Sequence, residues 1–265
     1  MKPFYFALAL IFIMCASFMV MAQDAKKPFS VRWHGQSFIQ IETPGGKKIA
    51  IDPHGIPAFG RPAVSADILL VSHEHDDHNQ IEVLDGKPGR EFRGLKAAKG
   101  RSQEWNKIDE KVGGIHIKSV GTYHDAEQGL SRGKNTIFII EAEGLRFVHL
   151  GDLGHDLSDE HVKAIGAVDV LLLPIGGVYT INGEQAKKVI TQLKPRLYVV
   201  PMHYGVPGYD DLLPADEFLE GLANVRKMPL SNELVIPADL KAEAPIVAIL
   251  HWQKTAGVAI PVPKK

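Results

Sequence analysis

Residues 73–78 read His73-Glu74-His75-Asp76-Asp77-His78, and this stretch decides how the rest of the chain is read. It contains the spacing H-x-H-x-D-H, with three imidazoles and three carboxylates in six residues. Clustered imidazoles repel one another when protonated, so such a run suits a loop in which a cation keeps the rings neutral. A solvated polar loop has no use for three histidines in that register. Immediately before it, Ala66–Ser72 (ADILLVS) is an apolar run that reads as a buried strand. A turn at the end of a strand can fold its ligand-type side chains inward over a rigid sheet.

Two metal ions need about seven ligands, and the rest of the chain offers candidates at other strand ends. His124 follows the strand Ile115–Tyr123. Asp152 ends the segment His149-Leu150-Gly151-Asp152, and His203 lies in Pro201-Met202-His203-Tyr204. Cys15 is the only cysteine and falls in the apolar N-terminal run, so the folded domain has neither a disulfide nor a thiolate ligand. Nitrogen and oxygen donors of this kind suit Zn²⁺ best, with Fe or Mn as the alternatives. His34, His54, His116, His149, His155, His161 and His251 are expected to be surface or packing residues rather than ligands. Asp52, at a turn after a strand, is expected to accept a hydrogen bond from a ligand imidazole.

Around these residues the patterning predicts a strand over Phe29–Glu42, a Pro44-Gly45-Gly46 turn and a strand over Lys48–Ile51. Residues 79–111 are polar and weakly periodic, irregular with room for one helix. Further strands are predicted at Ile115–Tyr123, Thr136–Glu141, Leu145–Leu150, Asp169–Pro174, Leu197–Pro201 and Ile246–Trp252. Helices are predicted at Asp159–Ile165, from an Asn182 cap to Leu193, and at Pro214–Ala223. Gln185 completes a capping box with Asn182, and Pro195 closes that helix. Paired strands first, then strands alternating with helices, indicate one α/β domain whose sheets are covered by helices.

The N-terminus is of another kind. Lys2 precedes an uncharged apolar run, Phe4–Val20, and Val20-Met21-Ala22 offers small residues where a signal peptidase cuts. Residues 1–22 therefore read as a signal peptide, 23–28 as a linker and 29–265 as the domain, placing the protein in the periplasm or outside the cell. The rival reading is an uncleaved N-terminal membrane anchor. A lipoprotein site at Cys15 is disfavoured by the bulky Ile13 and Met14 before it. The formal net charge of −1 and the absence of a long Lys/Arg run argue against nucleic acid as a partner. A small-molecule substrate and no stable membrane insertion are expected.

The order HEHDDH, a later strand-end histidine, Gly151-Asp152 and Pro201-Met202-His203-Tyr204 resembles the metallo-β-lactamase superfamily. The likeness is closer to its UlaG-like, Zn-dependent hydrolase branch, to which Ile51-Asp52-Pro53 and Leu173-Pro174-Ile175-Gly176-Gly177 are also similar. It spans nearly all of residues 29–251. The resemblance implies an αββα four-layer sandwich and two Zn²⁺ ions. One would be held by His73, His75 and His124, the other by Asp77, His78 and His203, with Asp152 bridging them. Asp77 rather than Asp76 is the ligand by register. Branches that complete the second site with cysteine are excluded, which argues against a true β-lactamase. The implied reaction is hydrolysis by a metal-bridging hydroxide, with Asp77 or Asp152 passing a proton to the leaving group. Arg132, Lys134, Asn135, Tyr179, Thr180 and Tyr204 stand in sequence where substrate contacts beside the metals are expected. Arg132 and Lys134 favour an anion, so a phosphodiester or phosphorylated lactone is placed ahead of a simple lactone. A non-catalytic exported zinc-binding or partner-binding protein is the reading from another class, and the intact ligand set speaks against it.

Overall fold

A computed structural model describes residues 27–60, 63–97, 103–237 and 240–252. The expected signal peptide lies outside the described residues, as does most of the 23–28 linker. Among the described residues no helix is long and apolar enough to cross a membrane.

The chain opens with strands β1 (Phe29–Trp33), β2 (Ile39–Glu42), β3 (Lys48–Ile51), β4 (Ile68–Val71) and β5 (Arg90–Arg93). Next come β6 (Asp109–Val112), β7 (Ile115–Tyr123), β8 (Lys134–Ala142), β9 (Leu145–His149) and helix α1 (Asp159–Ile165). Then follow β10 (Val170–Pro174), α2 (Gly183–Leu193), β11 (Tyr198–Met202) and α3 (Asp216–Leu219). Strands β12 (Val225–Met228), β13 (Glu233–Ile236) and β14 (Ile246–Leu250) complete the order. One sheet has six strands in the order β13-β1-β2-β3-β4-β5, and the other has eight, β12-β14-β11-β10-β9-β8-β7-β6.

Side chains alternate across each strand, and that alternation builds two packed layers. Phe29, Val31, Trp33, Ile39, Ile41, Ile49, Ile51, Ile68 and Leu70 face the eight-stranded sheet and form the main core with Phe138, Phe147 and Leu172. Their strand neighbours Ala50, Leu69 and Val71 point the other way, where Phe38, Val64 and Leu84 cover them. On the far side, β9, β10 and β11 are parallel and joined through α1 and α2. Right-handed crossovers running in one direction along a sheet place both helices on the same face. The architecture is therefore the expected α/β sandwich, and Val83, in the short 3₁₀ turn Ile81–Val83, packs with Val64 and Leu84 on the outer face of the six-stranded sheet.

Three expectations about elements need correction. The predicted strand Phe29–Glu42 is a hairpin: Trp33 pairs with Ile39, and the chain turns through Gly35 (φ +96°) and Gln36 (φ +47°). Gly35 is required there, because a Cβ would stand 2.2 Å from the Phe59 ring. The helix predicted over Pro214–Ala223 shrinks to α3, which lacks a side-chain cap at Ala215 and is followed by Gly221 at φ +74°. No α-helix forms in the described part of 79–111; β5 and β6 do instead. By contrast, α2 has the predicted capping box, Asn182 with Gln185.

Candidate metal centre

The ligand-type residues collect where strands of the two sheets end. His73 follows β4 after one residue, His124 directly follows β7, and His203 directly follows β11. Asp152 follows β9 through Gly151 at φ +54°, where a Cβ would be 2.3 Å from Asn135 Oδ1. A side chain at 151 would push the Asp152 turn off β8. His203 is itself in a left-handed conformation, φ +51°, with its backbone N–H donating to Gln36 O at 2.9 Å.

The side chains converge on one oxygen. Asp152 Oδ2 stands 3.0 Å from His78 Nε2, 3.0 Å from His203 Nε2, 3.1 Å from His124 Nε2 and 4.0 Å from His73 Nε2. Three triads have ligand atoms within 4.8 Å of one another: His73/His75/His124, His73/His78/Asp152 and Asp77/His78/His203. They bring together the side chains of the two expected ligand sets, with Asp152 between them. Asp76 is exposed and belongs to none of these triads.

A second layer of side chains holds these groups from behind. Asp52 is fully buried, accepts Ser72 N at 2.7 Å and Ser72 Oγ at 2.6 Å, and faces His78 Nδ1 at 3.2 Å. Ser72 Oγ is in turn 2.9 Å from His73 Nδ1. One carboxylate thus aims two ligand imidazoles, the role expected of Asp52. Ser37 Oγ donates to Asp152 Oδ1 at 3.0 Å. The patterning did not single out Ser37, Ser72 or Gln36, since each is an ordinary polar residue whose role appears only when the strands meet.

Of the expected substrate contacts, three are corrected. Asn135 is fully buried: its amide donates to Thr122 Oγ1 at 2.8 Å and Leu150 O at 2.9 Å, and its Oδ1 accepts Asp152 N at 3.0 Å. It shapes the Asp152 turn and has no face left for substrate. Tyr204 is buried, with its ring stacked on Trp33 at 4.8 Å. Lys134 turns away to Gln103 O at 2.5 Å and lies over the Trp105 ring. Arg132 and Tyr179 remain. The guanidinium sits 4.5 Å over the Tyr179 ring and donates to Val178 O at 3.4 Å, tying the loop after His124 to the loop after β10. Thr180, beside Tyr179, donates its hydroxyl to Ile181 O at 3.3 Å. Tyr209 is a further neighbour, packed on Phe59 at 5.0 Å; burial, then Asp77, pushes its hydroxyl up to about 12.

The histidines outside the ligand sets behave as expected. His149 is fully buried and ties Ser37 O at 3.0 Å, His116 lies 2.5 Å from Asp109, and His161 completes the α1 capping box with Ser158. His155 accepts Tyr123 N at 3.1 Å, and His251 stacks on Trp252.

A metal fits this donor set. His78 belongs to two of the triads: its Nδ1 is held by Asp52 at 3.2 Å, and its Nε2 shares Asp152 Oδ2 with His124 Nε2 and His203 Nε2, a buried cluster of lone-pair atoms of the kind a cation gathers. Without a cation, burial and then His78 hold the pKa of His73 well below its ordinary value, and burial and then His124 lower that of His75. Neutral imidazole is the form that ligates. For His78 burial acts in the same sense, yet Asp152 and Asp77 outweigh it and raise its pKa well above the usual value. Burial also opposes ionisation of Asp77 and Asp152. The charge of His78 on the first, and of His203 and then His78 on the second, holds both below the usual carboxylate range.

Two buried histidines beside the centre carry a testable consequence. Burial, then Arg32, lowers His34 to about 3, and burial, then His78, lowers His54 to about 4. Both stay neutral in the fold while the unfolded chain takes up protons below about 6.5, so stability falls as pH drops from 6.5 toward 4. The expected loss is about 2 kcal/mol per ring at pH 5. Urea midpoints of metal-free protein between pH 7 and 5 check this. His54→Gln should flatten the profile, and a slope unchanged by that substitution would contradict the assignment.

Comparison with known proteins shows the family. Residues 30–203 match a family described as the beta-lactamase superfamily domain. The chain is 32% identical over 199 residues to the UPF0173 metal-dependent hydrolase of Nitratidesulfovibrio vulgaris (strain DP4), covering 66% of this chain and 80% of that one. It is 32% identical over 191 residues to a metal-dependent hydrolase of Thermococcus kodakarensis, covering 66% and 84%. Among solved structures it resembles a candidate Zn-dependent hydrolase of the metallo-β-lactamase superfamily from Thermotoga maritima. That match has a TM-score of 0.65 at 32% identity and covers 83% of this chain and 97% of that one. A candidate metal-dependent hydrolase from Parabacteroides distasonis shares the fold, with a TM-score of 0.56 at 18% identity over 86% and 94%.

Proposed function

The chain belongs to the metallo-β-lactamase superfamily and is a metal-dependent hydrolase; from that premise we propose that it holds two zinc ions and cleaves an ester of a small anionic substrate, a phosphodiester or phosphorylated lactone. The observation that carries the two-ion reading is the position of Asp152 Oδ2, 3.0–3.1 Å from Nε2 atoms of both ligand sets. Such ions, when bound, supply a water of near-neutral pKa and polarise the scissile oxygen.

The chain's own residues divide the remaining work. Asp152 is buried and its Oδ1 is engaged by Ser37, so it holds the two ligand sets in register rather than carrying protons outward. Asp77 would be a ligand whose side chain keeps 35% of its surface exposed, and as an ionised carboxylate it is placed to accept the proton of the attacking water and relay it to a departing alkoxide. Arg132, fixed over Tyr179, takes the substrate's anionic group. Beside it, Val178, Tyr179 and Leu213 are exposed apolar residues, and they favour the second reading, a neutral lactone.

Assays against bis-p-nitrophenyl phosphate, phosphorylated lactones and simple lactones decide between these readings. With a phosphodiester substrate, Arg132→Ala is expected to raise KM about tenfold, as loss of one charge-assisted contact should. Lactone turnover as the dominant activity, with no effect of Arg132→Ala, would overturn the anionic assignment.

We further propose that the protein is exported and begins at Gln23, because Val20-Met21-Ala22 closes the apolar run Phe4–Val20. Intact-mass measurement after expression in a secreting host should give the chain from Gln23. A membrane-bound product that retains residues 1–22 would establish the anchor instead.

A further inference from the structure

Gln36 stands inside the second ligand set, and none of the family-type ligands accounts for it. Its Nε2 is 2.8 Å from Asp77 Oδ2 and 3.1 Å from His203 Nε2, the very atoms that would face the second ion. The residue is 1% exposed, and its other amide atom, Oε1, is buried with no hydrogen-bond partner. The backbone is built to deliver it. Gln36 adopts φ +47°, a conformation that a side-chain-bearing residue holds only when its surroundings impose it. Its carbonyl is pinned by His203 N at 2.9 Å and Trp33 Nε1 at 2.8 Å.

We propose that Gln36 is a ligand of the second metal position, through its side-chain amide oxygen, in addition to Asp77, His78, His203 and Asp152. This rests on the two-ion reading above. Two ligands of one zinc ion, each about 2.0–2.1 Å from it, stand roughly 3.3 Å apart. The amide tip is at that kind of spacing from Asp77 and His203, too far to occupy the ion's own place and close enough to share its coordination sphere. A half-turn of the terminal torsion exchanges the amide oxygen and nitrogen, which differ in little but hydrogen-bonding sense. The N–H that serves Asp77 without a cation is thereby replaced by an oxygen lone pair toward one. The second position then has oxygen from Asp77, Asp152 and Gln36, whereas the first has three imidazoles and one carboxylate. Oxygen-rich sites favour harder cations, so the two positions differ in metal preference.

The competing role is a donor that merely orients Asp77, and two substitutions separate the two. Gln36→Gly suits the positive φ, keeps the backbone carbonyl that holds His203 and Trp33, and deletes the side chain with its amide. Gln36→Glu keeps the shape and an oxygen but removes the N–H donor. Co²⁺ titration with calorimetry and visible absorption reads both positions directly. Wild type should bind two Co²⁺ per chain. Gln36→Gly should bind the first unchanged and the second at least tenfold more weakly, with stronger cobalt bands at saturation as coordination falls. Gln36→Glu should bind the second at least as tightly as wild type. Wild-type affinity and spectrum in Gln36→Gly, or a second site weaker in Gln36→Glu than in Gln36→Gly, would overturn the proposal and leave the two-ion reading standing. A wild-type stoichiometry below two would remove both.

Discussion

Asp152→Asn is expected to lower kcat/KM by on the order of a hundredfold or more, roughly 3 kcal/mol of transition-state stabilisation. The geometry concentrates function on one atom: Asp152 Oδ2 lies 3.0–3.1 Å from the Nε2 atoms of His78, His124 and His203. The substitution keeps the shape of the side chain, and Asn135 can still hold the backbone N–H of residue 152. What changes is the charge and one anionic oxygen. An amide offers one weak acceptor where two cations need a shared anion, and its N–H₂ would face imidazoles that also need their lone pairs turned inward. Metal content should fall with activity, toward one equivalent. Asp76→Asn is the control. It removes a carboxylate from the same six-residue run, but Asp76 is exposed and outside every triad, so activity should stay within about twofold, as is usual for a surface substitution. Equal losses in both variants, or full metal content and rate in Asp152→Asn, would mean that the bridging residue is assigned wrongly.

Which of these residues were visible before the fold was known follows from how each one works. His73, His75, Asp77, His78, His124, Asp152 and His203 are brought together as candidate ligands at strand ends, and both the residue type and the end of an apolar run are written in the linear pattern. Helix α2 was legible for the same reason, since its capping box is a local spacing. Gln36 and Ser37 were hidden because the apolar alternation on either side of them reads as one strand, Phe29–Glu42. The turn that separates β1 from β2 depends on the left-handed backbone at Gly35 and Gln36 rather than on a Pro or Asn signal. Tyr204 is misplaced by its adjacency to His203, and Asn135 by its position just after the His124 strand. Successive side chains alternate in direction, so adjacency to a ligand says little about facing the substrate. Asn135 satisfies Thr122, Leu150 and Asp152 below the site, and Tyr204 fills the space over Trp33. Strands β12 and β13 are short and pair with distant β14 and β1, a match that no local pattern contains.

Metal removal should have the other large effect, and its pH dependence carries a sign that tests the electrostatics of the centre. Elemental analysis of protein purified without chelator should give two equivalents of metal, and dialysis against a chelator should then lower Tm. A single site held at a thousandfold excess over its Kd contributes about 4 kcal/mol to the folded state. At roughly 2–4 °C per kcal/mol for a chain of this size, the fall should be about 10 °C or more. Without metal, the charged ring of His78 is what compensates Asp152 and Asp77. Because its pKa is raised in the fold, the stability it contributes is fully present below about 6.5 and is lost as pH rises through the folded value. The two carboxylates have depressed pKa values, so their contribution is present above about 3.8 and lost only on strong acidification. Raising the pH from 6.5 therefore weakens the metal-free protein specifically, as His78 releases its proton between two carboxylates that stay ionised. In the loaded protein that proton is already displaced, and metal affinity itself rises as ligand protonation recedes. Both effects widen the gap in Tm between loaded and stripped protein toward alkaline pH. Scanning calorimetry of the two forms at pH 6.5, 7.5 and 8.5 measures that gap, and a gap that narrows or stays constant across the series would show that His78 does not carry the compensating charge.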